Sequence, residues 1–305
     1  GERVMTDAGR PKVTIGLPAL DGERYLQAAI DSILGQTCGD FELVISDNAS
    51  TDGTSEICGA FARSDPRIRY ERLPTNVGAR RNYEIVLGRA RGEYFKWSAH
   101  DDVLAPTFLA RTVERLEADP GAVLCAADIT VIDHRGEPDG TMRHPIAVGG
   151  TTPHERLRQF FAHRRAHQTI FGVIRRSALE ATGLLGPWFG SDRALLMELA
   201  LLGRFARVDE PLFFHREHQD RPDYADSQVA WLTPERGERP MAVYWHHLGA
   251  ATRMVMSQPM PASERLLCLA ECGRRSRTQL PEWAPILWRE AATDVRSVTA
   301  VTRVR

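Results

Sequence analysis

"YFKWSAHDDVLAP", Tyr94 to Pro106, decides how this chain is read. Its apolar start, Tyr94 to Trp97, has the length and composition of a buried strand. No turn residue separates that run from His100, Asp101 and Asp102, after which an apolar residue follows and a proline soon after. Two adjacent carboxylates at the end of a buried strand repel each other. They need water at an exposed strand end or a cation to neutralise them.

The pattern repeats upstream. "KVTIGL", Lys12 to Leu17, reads as a buried strand that Pro18 stops. "DGERYLQAAIDSILGQT" reads as a helix, with Asp21 near its start and Leu26, Ala29, Ile30, Ile33 and Leu34 at helical spacing. "FELVIS", Phe41 to Ser46, is a second strand ending on Asp47, and a polar turn leads from it into another helix. "RIRYERL" alternates as a third strand, and "TNVGARRNYEIVLGRA" passes from loop to helix. Strands alternating with helices in this way specify parallel βαβ units, an α/β fold.

Downstream the order is less regular. "PTFLARTVERLEADP" is an amphipathic helix, "AVLCAADITVID" a strand and "HRGEPDGTMRHP" a turn-rich excursion. "TPHERLRQFFAHRR" reads as a helix, "TIFGVIRRSAL" as a strand turning into a helix, and an apolar helix runs from Arg193 to about Leu202. From Arg221 onward only helical patterns remain, as expected of a C-terminal helical extension over 221–305.

Composition narrows the function classes. The 305 residues are 43% hydrophobic and 26% charged with a net charge of −1, so nonspecific nucleic-acid binding is not expected. Five scattered cysteines form no CxxC pair and read as buried thiols; Cys268 and Cys272 alone make no zinc site. The opening residues, "GERVMTDAGRPK", have no apolar h-region, so no signal peptide is expected. "ALLMELALLG" is too short to span a bilayer. The expected location is cytoplasmic, free or peripheral to a membrane.

In an open parallel sheet, ligands bind outside the carboxyl ends of the strands. Three polar clusters fall there: Pro18 to Asp21, Asp47 to Thr54, and His100 to Asp102. No dinucleotide-type glycine loop and no P-loop follows the first strand, which continues "LPALDG". A nucleotide on this edge would be held by side chains and a metal. A hard divalent cation, Mn²⁺ or Mg²⁺, suits paired aspartates and keeps positions open for phosphate oxygens. Taken alone, the pair reads first as an exposed helix cap, since acidic pairs at strand or helix starts are common.

As a set, "VTIGLPALDGERYLQAAIDSILGQT", "FELVISDNASTDGT", "NVGARRN" and "YFKWSAHDD" resemble the nucleotide-binding half of family-2 glycosyltransferases, which adopt the GT-A fold. The likeness is strong from Val13 to Asp128 and looser to His218. It implies a Rossmann-like, mostly parallel sheet flanked by helices. A nucleotide-sugar-binding half would span 11–128 and an acceptor-binding half 129–220 of the same domain. By resemblance Asp47 meets the pyrimidine base, with Pro18 and Leu20 lining its pocket. Arg81 and Asn82 lie near the phosphates, with Arg80 as the alternative. Asp102 ligates the cation and Asp101 contacts the ribose or sugar; the role of His100 is open.

The resemblance also implies an inverting transfer, which needs a base for the acceptor proton. Asp192, in "PWFGSDRALLMELALLG", matches the family's acidic position, with Ser191 where relatives commonly carry glutamate. A pure helix cap is the competing role for Asp192; Glu198 and His167 are the next choices for the base. In "LFFHREH", Arg216 matches a phosphate clamp and His218 a further metal ligand, with a solvated turn as the alternative. His163 and His167 read as surface or acceptor-loop residues, Trp188 as a sugar platform or a buried aromatic, and Trp97 as core. The expected donor is a UDP-sugar, or else a dTDP-sugar. The acceptor is a saccharide, a lipid-linked molecule or a small natural product. A sugar-nucleotide nucleotidyltransferase and a noncatalytic nucleotide-sugar-binding protein are the rival readings.

Overall fold

A computed structural model describes residues 10–163, 167–186, 191–217 and 240–278, without the side chains of residues 167 and 240–248. The expected site residue His218 and the expected sugar platform Trp188 lie outside the described residues.

The first half alternates as its sequence predicts. Strand β1 (Val13–Ala19) leads to helix α1 (Glu23–Leu34), then come β2 (Phe41–Asp47), α2 (Thr54–Ser64), β3 (Ile68–Arg72), α3 (Ala79–Gly88) and β4 (Tyr94–Trp97). All pairings among β1 to β4 are parallel, in the order β3-β2-β1-β4. Pro18 does not stop β1, which runs through it to pair Ala19 with Asp47. The pairing of β1 with β4 ends at Gly16↔Trp97, so the missing N–H of Pro18 falls where β1 has no further partner on that side.

The second half mixes directions. It comprises β5 (Val103–Leu104), α4 (Phe108–Ala118), β6 (Ala122–Ile132), β7 (Pro138–Arg143), α5 (Pro153–Ala162), a 3-10 turn (His167–Phe171), β8 (Val173–Arg175), α6 (Arg176–Glu180), α7 (Ser191–Leu202) and β9 (Arg204–Arg216). The sheet continues β4-β8-β6-β9-β5, and β7 pairs with β6. Strand β8 is antiparallel to both β4 and β6, whereas β6 and β9 are parallel. The excursion after β6 is thus a hairpin, and β7 is the exposed strand "PDGTMR". Strand β6 crosses residue 128, so one sheet joins both halves.

Side chains alternate along the strands and fill two apolar clusters, one on each face of the sheet. Ile15, Leu17, Leu43 and Ile45 pack with Leu26, Ile30, Phe108 and Leu109 from α1 and α4. Phe95, Trp97, Leu124 and Ala126 pack with Val86, Leu157, Leu195 and Leu199 from α3, α5 and α7. The helix Pro240–Ser257 and the helical residues 262–278 add Val255, Cys268 and Cys272 to this second cluster. Burial pushes the Cys268 and Cys272 thiols up to about 12 and about 11, which keeps them protonated. No described helix is long and apolar enough to cross a membrane.

Candidate active site

Register shows which residues share an edge. Strands β1, β2, β3, β4, β6 and β9 all run the same way, so Ala19, Asp47, Arg72, Trp97, Ile132 and Arg216 end together. Strand β5 is antiparallel to β9 and starts at that edge, with Val103 opposite Phe214. Helix α7 ends at Leu202, and only Gly203 separates it from β9, which begins at the opposite edge. Packed against β6 and β9, α7 therefore directs its N-terminus, with Asp192, back toward the carboxyl edge.

The first two loops on that edge hold each other. Asp52 accepts from the Glu23 N–H at the start of α1, while Glu23 accepts from the Gly53 N–H before α2. Asp21, at a φ of 47°, accepts from the Thr51 N–H, and its own N–H donates to Ser50 Oγ. A carboxylate at each helix start satisfies donors the helix cannot. His100 lies across this turn: a Cβ at Gly22 would stand 2.8 Å from its Cδ2, so any larger residue there would displace the His100 ring.

Asp47 is fully buried rather than open to a pocket. Its Oδ1 accepts from the Ser50 N–H at 2.8 Å, and its Oδ2 accepts from Tyr70 Oη at 3.1 Å with Arg72 Nε at 3.5 Å. Pro18 is buried beside it in β1, and Leu20 is 37% exposed. Asp47 thus builds a wall of which Leu20 and Arg72 are the accessible parts. Asn82 is buried as well: its Nδ2 donates to Ala19 O and Ser46 O, clamping the ends of β1 and β2, and its Oδ1 has no partner. Arg81 reaches outward, paired only loosely with Glu84 at 3.4 Å, whereas Arg80 is closely ion-paired to Glu84.

Asp101 and Asp102 are buried, at 6% and 2% exposure. Asp102 Oδ1 takes the Arg216 N–H at 3.0 Å and lies 3.1 Å from His215 Nδ1. Its Oδ2 is buried with no partner. Arg216 is committed elsewhere: Nε donates to Asp101 O, Nη1 donates to Asp133 O, and the guanidinium stacks 4.6 Å from the Tyr25 ring. In this geometry Arg216 ties the ends of β4, β6 and β9 together.

A divalent cation is tested by this donor set. No described group of three His, Cys, Asp or Glu side chains could enclose a metal. A cation that serves phosphates needs only one or two protein carboxylates and takes its other ligands from the nucleotide and water. The orphaned Oδ2 of Asp102 meets that need, so the residues fit.

Lys96 lies within the fold behind this edge. It is fully buried, its Nζ donates to Trp97 O at 2.8 Å, and it faces the rings of Phe108, Phe213 and Phe171 at 5.1, 5.4 and 6.0 Å. Burial brings the Lys96 ammonium down to about 7, against the opposing pull of the Asp102 charge. The unfolded chain then binds more protons between about pH 7 and the ordinary lysine value of 10.5, so stability rises with pH across that window. Lys96→Met is expected to raise the melting temperature at pH 7, with a gain that shrinks toward pH 10. Melts across that range check it; an equal loss at every pH would show that the ammonium holds the fold.

Asp192 is half-buried in the first turn of α7. Ser191 beside it is buried, with no partner for Oγ. Glu198, further along α7, is buried and accepts from the Gly183 N–H; burial pushes its carboxyl up. It anchors the chain before α7 from inside the core.

The model of the family described as Glycosyl transferase family 2 matches residues 14–183, more than half of the chain. The chain belongs to glycosyl transferase family 2. Its curated relatives include an uncharacterized protein of Mycobacterium tuberculosis, 35% identical over 230 residues, 70% of this chain and 62% of the relative. The chain thus spans less than two thirds of that relative's length. An uncharacterized glycosyltransferase of Rickettsia felis is 32% identical over 128 residues, 41% of this chain and 21% of the relative. Among solved structures, S. aureus TarS in complex with UDP-GlcNAc aligns with a TM-score of 0.65 at 16% identity, covering 88% of this chain and 73% of TarS. The mannosyltransferase PcManGT from Pyrobaculum calidifontis, in complex with GDP-Man and Mn²⁺, aligns at 0.50 and 18% identity, covering 95% and 81%. These likenesses show that this family-2 chain has the GT-A fold.

Proposed function

We propose that this chain is an inverting glycosyltransferase that moves a sugar from a nucleoside-diphosphate donor to an acceptor hydroxyl. The observation that carries this reading is the divided carboxylate of Asp102 at the carboxyl edge of the parallel strands. One oxygen is locked by Arg216 N and His215, and the other is buried and free for a cation. Asp102 would hold a divalent cation, Mn²⁺ or Mg²⁺, which offsets the charge that builds on the leaving diphosphate. With His218 outside the described residues, its place as a second ligand rests on the resemblance alone.

We assign the remaining roles from the family resemblance. Leu20, Pro18 and the Asp47 wall flank the base, which is the uracil of a UDP-sugar or the thymine of a dTDP-sugar. Arg81, exposed in the first turn of α3, reaches the phosphates, while Asn82 keeps that helix seated on β1 and β2. Asp101, beside the ligand oxygen, meets the ribose or the sugar. Asp192 takes the acceptor proton as the acceptor oxygen attacks the anomeric carbon. The bond from that carbon to the phosphate oxygen breaks, and the diphosphate leaves with the electron pair. Attack from the face opposite the leaving group inverts the centre. The acceptor is a saccharide, a lipid-linked molecule or a small natural product. Hydrolysis of UDP-sugars and dTDP-sugars, with and without Mn²⁺, tests the reading; sugar release that needs the cation supports it, and a protein inert toward every sugar nucleotide opposes it.

Asp47→Ala is expected to weaken uridine and UDP alike, by about 1–3 kcal/mol, because the wall it supports contacts the base. Calorimetric titration of both ligands checks this, with inorganic diphosphate as the control. Parent-like affinity for uridine would remove Asp47 from the base pocket.

A further inference from the structure

Asp102 is asymmetric, and the asymmetry has a source in the strand pairing beside it. Beyond the pair Val103↔Phe214, β5 ends, and no described strand continues the ladder on that side of β9. The Asp102 side chain takes over: its Oδ1 receives the backbone N–H of Arg216 and meets the ring of His215. A carboxylate can only accept, so Nδ1 of His215 carries the proton at this contact. His215 is 5% exposed, stands opposite Val131 of β6, and its ring lies 6.3 Å from that of Phe213. With Oδ1 held by two donors, rotation about the carboxylate is blocked. Oδ2 is left buried and alone.

We propose that His215 is a positioning residue, which fixes Asp102 so that Oδ2 is the oxygen offered to the divalent cation. This rests on the reading of Asp102 as the cation's ligand. Removing a partner that orients a metal ligand typically costs about 10–100-fold in metal affinity.

The test is Mn²⁺ affinity in the presence of UDP, read from the free-ion electron paramagnetic resonance signal, with a melting curve for each variant. His215→Leu is expected to weaken Mn²⁺ about 10–100-fold. His215→Asn, whose amide nitrogen can stand where Nδ1 stood, is expected to recover affinity to within about three-fold of the parent, and His215→Gln is not. Asp102→Asn, run beside them, is expected to lose Mn²⁺ altogether. A folded His215→Leu that binds Mn²⁺ like the parent, next to a defective Asp102→Asn, overturns the positioning role and leaves the cation at Asp102. If His215→Leu does not fold, the other pair decides: equal affinities for the Asn and Gln variants overturn the proposal, and recovery by Asn alone supports it. Parent-like binding by Asp102→Asn removes both the ligand and its positioning residue.

Discussion

Asp192→Asn is expected to transfer sugar about 10²–10⁴ times more slowly than the parent while binding donor and acceptor almost normally. The residue stands in the first turn of α7, which points toward the edge where the donor would lie. A carboxylate at a helix N-terminus is also stabilising in its own right, through the helix dipole and the free N–H groups. The two roles separate in one mutant. The amide keeps the shape and much of the capping, so a base predicts slow turnover with a melting temperature near the parent's. A cap alone predicts a modest loss of stability and near-parental turnover. Turnover within a few-fold of the parent at saturating substrates would exclude Asp192 and bring His167 forward. Glu198 is a poorer alternative, because it is buried and already holds the Gly183 N–H.

Loss of divalent-dependent donor binding is the expected result for Asp102. Asp102→Ala removes the ligand but also leaves Arg216 N and His215 Nδ1 without their acceptor in a buried place, at about 1–3 kcal/mol for each group. Asp102→Asn is the sharper variant, since an amide oxygen can still accept those bonds while no charged oxygen remains for the cation. UDP binding measured with and without Mn²⁺ checks it. The parent should bind more tightly with the cation and the variant should not respond to it. An unchanged response in the variant would take Asp102 out of the ligand shell.

How much of this was legible in the sequence depends on what each residue touches. Strands β1, β2 and β4 are buried on both faces, so they read as short apolar runs, and their carboxyl ends follow from the βαβ order. Strand β7 was read as a turn-rich excursion because its residues are almost all exposed and its order comes from pairing with β6. Pro18 misled for a related reason: whether a proline ends a strand depends on which neighbour its N–H would have met. Asp101 and Asp102 were legible as a pair at a strand end. Their burial was not, because the cover comes from β9, more than a hundred residues away in the chain.

The same distance hid His215. In "LFFHREH" the eye falls on the Arg-x-His pair, Arg216 and His218, and only the register of β9 against β5 shows that His215 meets Asp102. Arg216 is legible by type as a partner for phosphate, since arginine suits that task. The bonds its guanidinium makes to the carbonyls of Asp101 and Asp133 are an arrangement no local pattern encodes. Lys96 did leave a signal: a lysine inside the run Tyr94 to Trp97 has no water to reach, and the three phenylalanine rings around it are its substitute.

The edge formed by β1, β2 and β4 is expected to bind a nucleoside diphosphate together with a divalent cation. Thermal melts of the parent protein with uridine, UMP, UDP and UDP-sugars, each with and without Mn²⁺, test it most directly, because only ligands that prefer the folded chain raise the melting temperature. The expected result is a rise with UDP and UDP-sugars that grows when Mn²⁺ is added, a smaller rise with UMP, and little effect of Mn²⁺ on uridine. A melting temperature unmoved by UDP, dTDP and their sugar conjugates, with Mn²⁺ present, would contradict it.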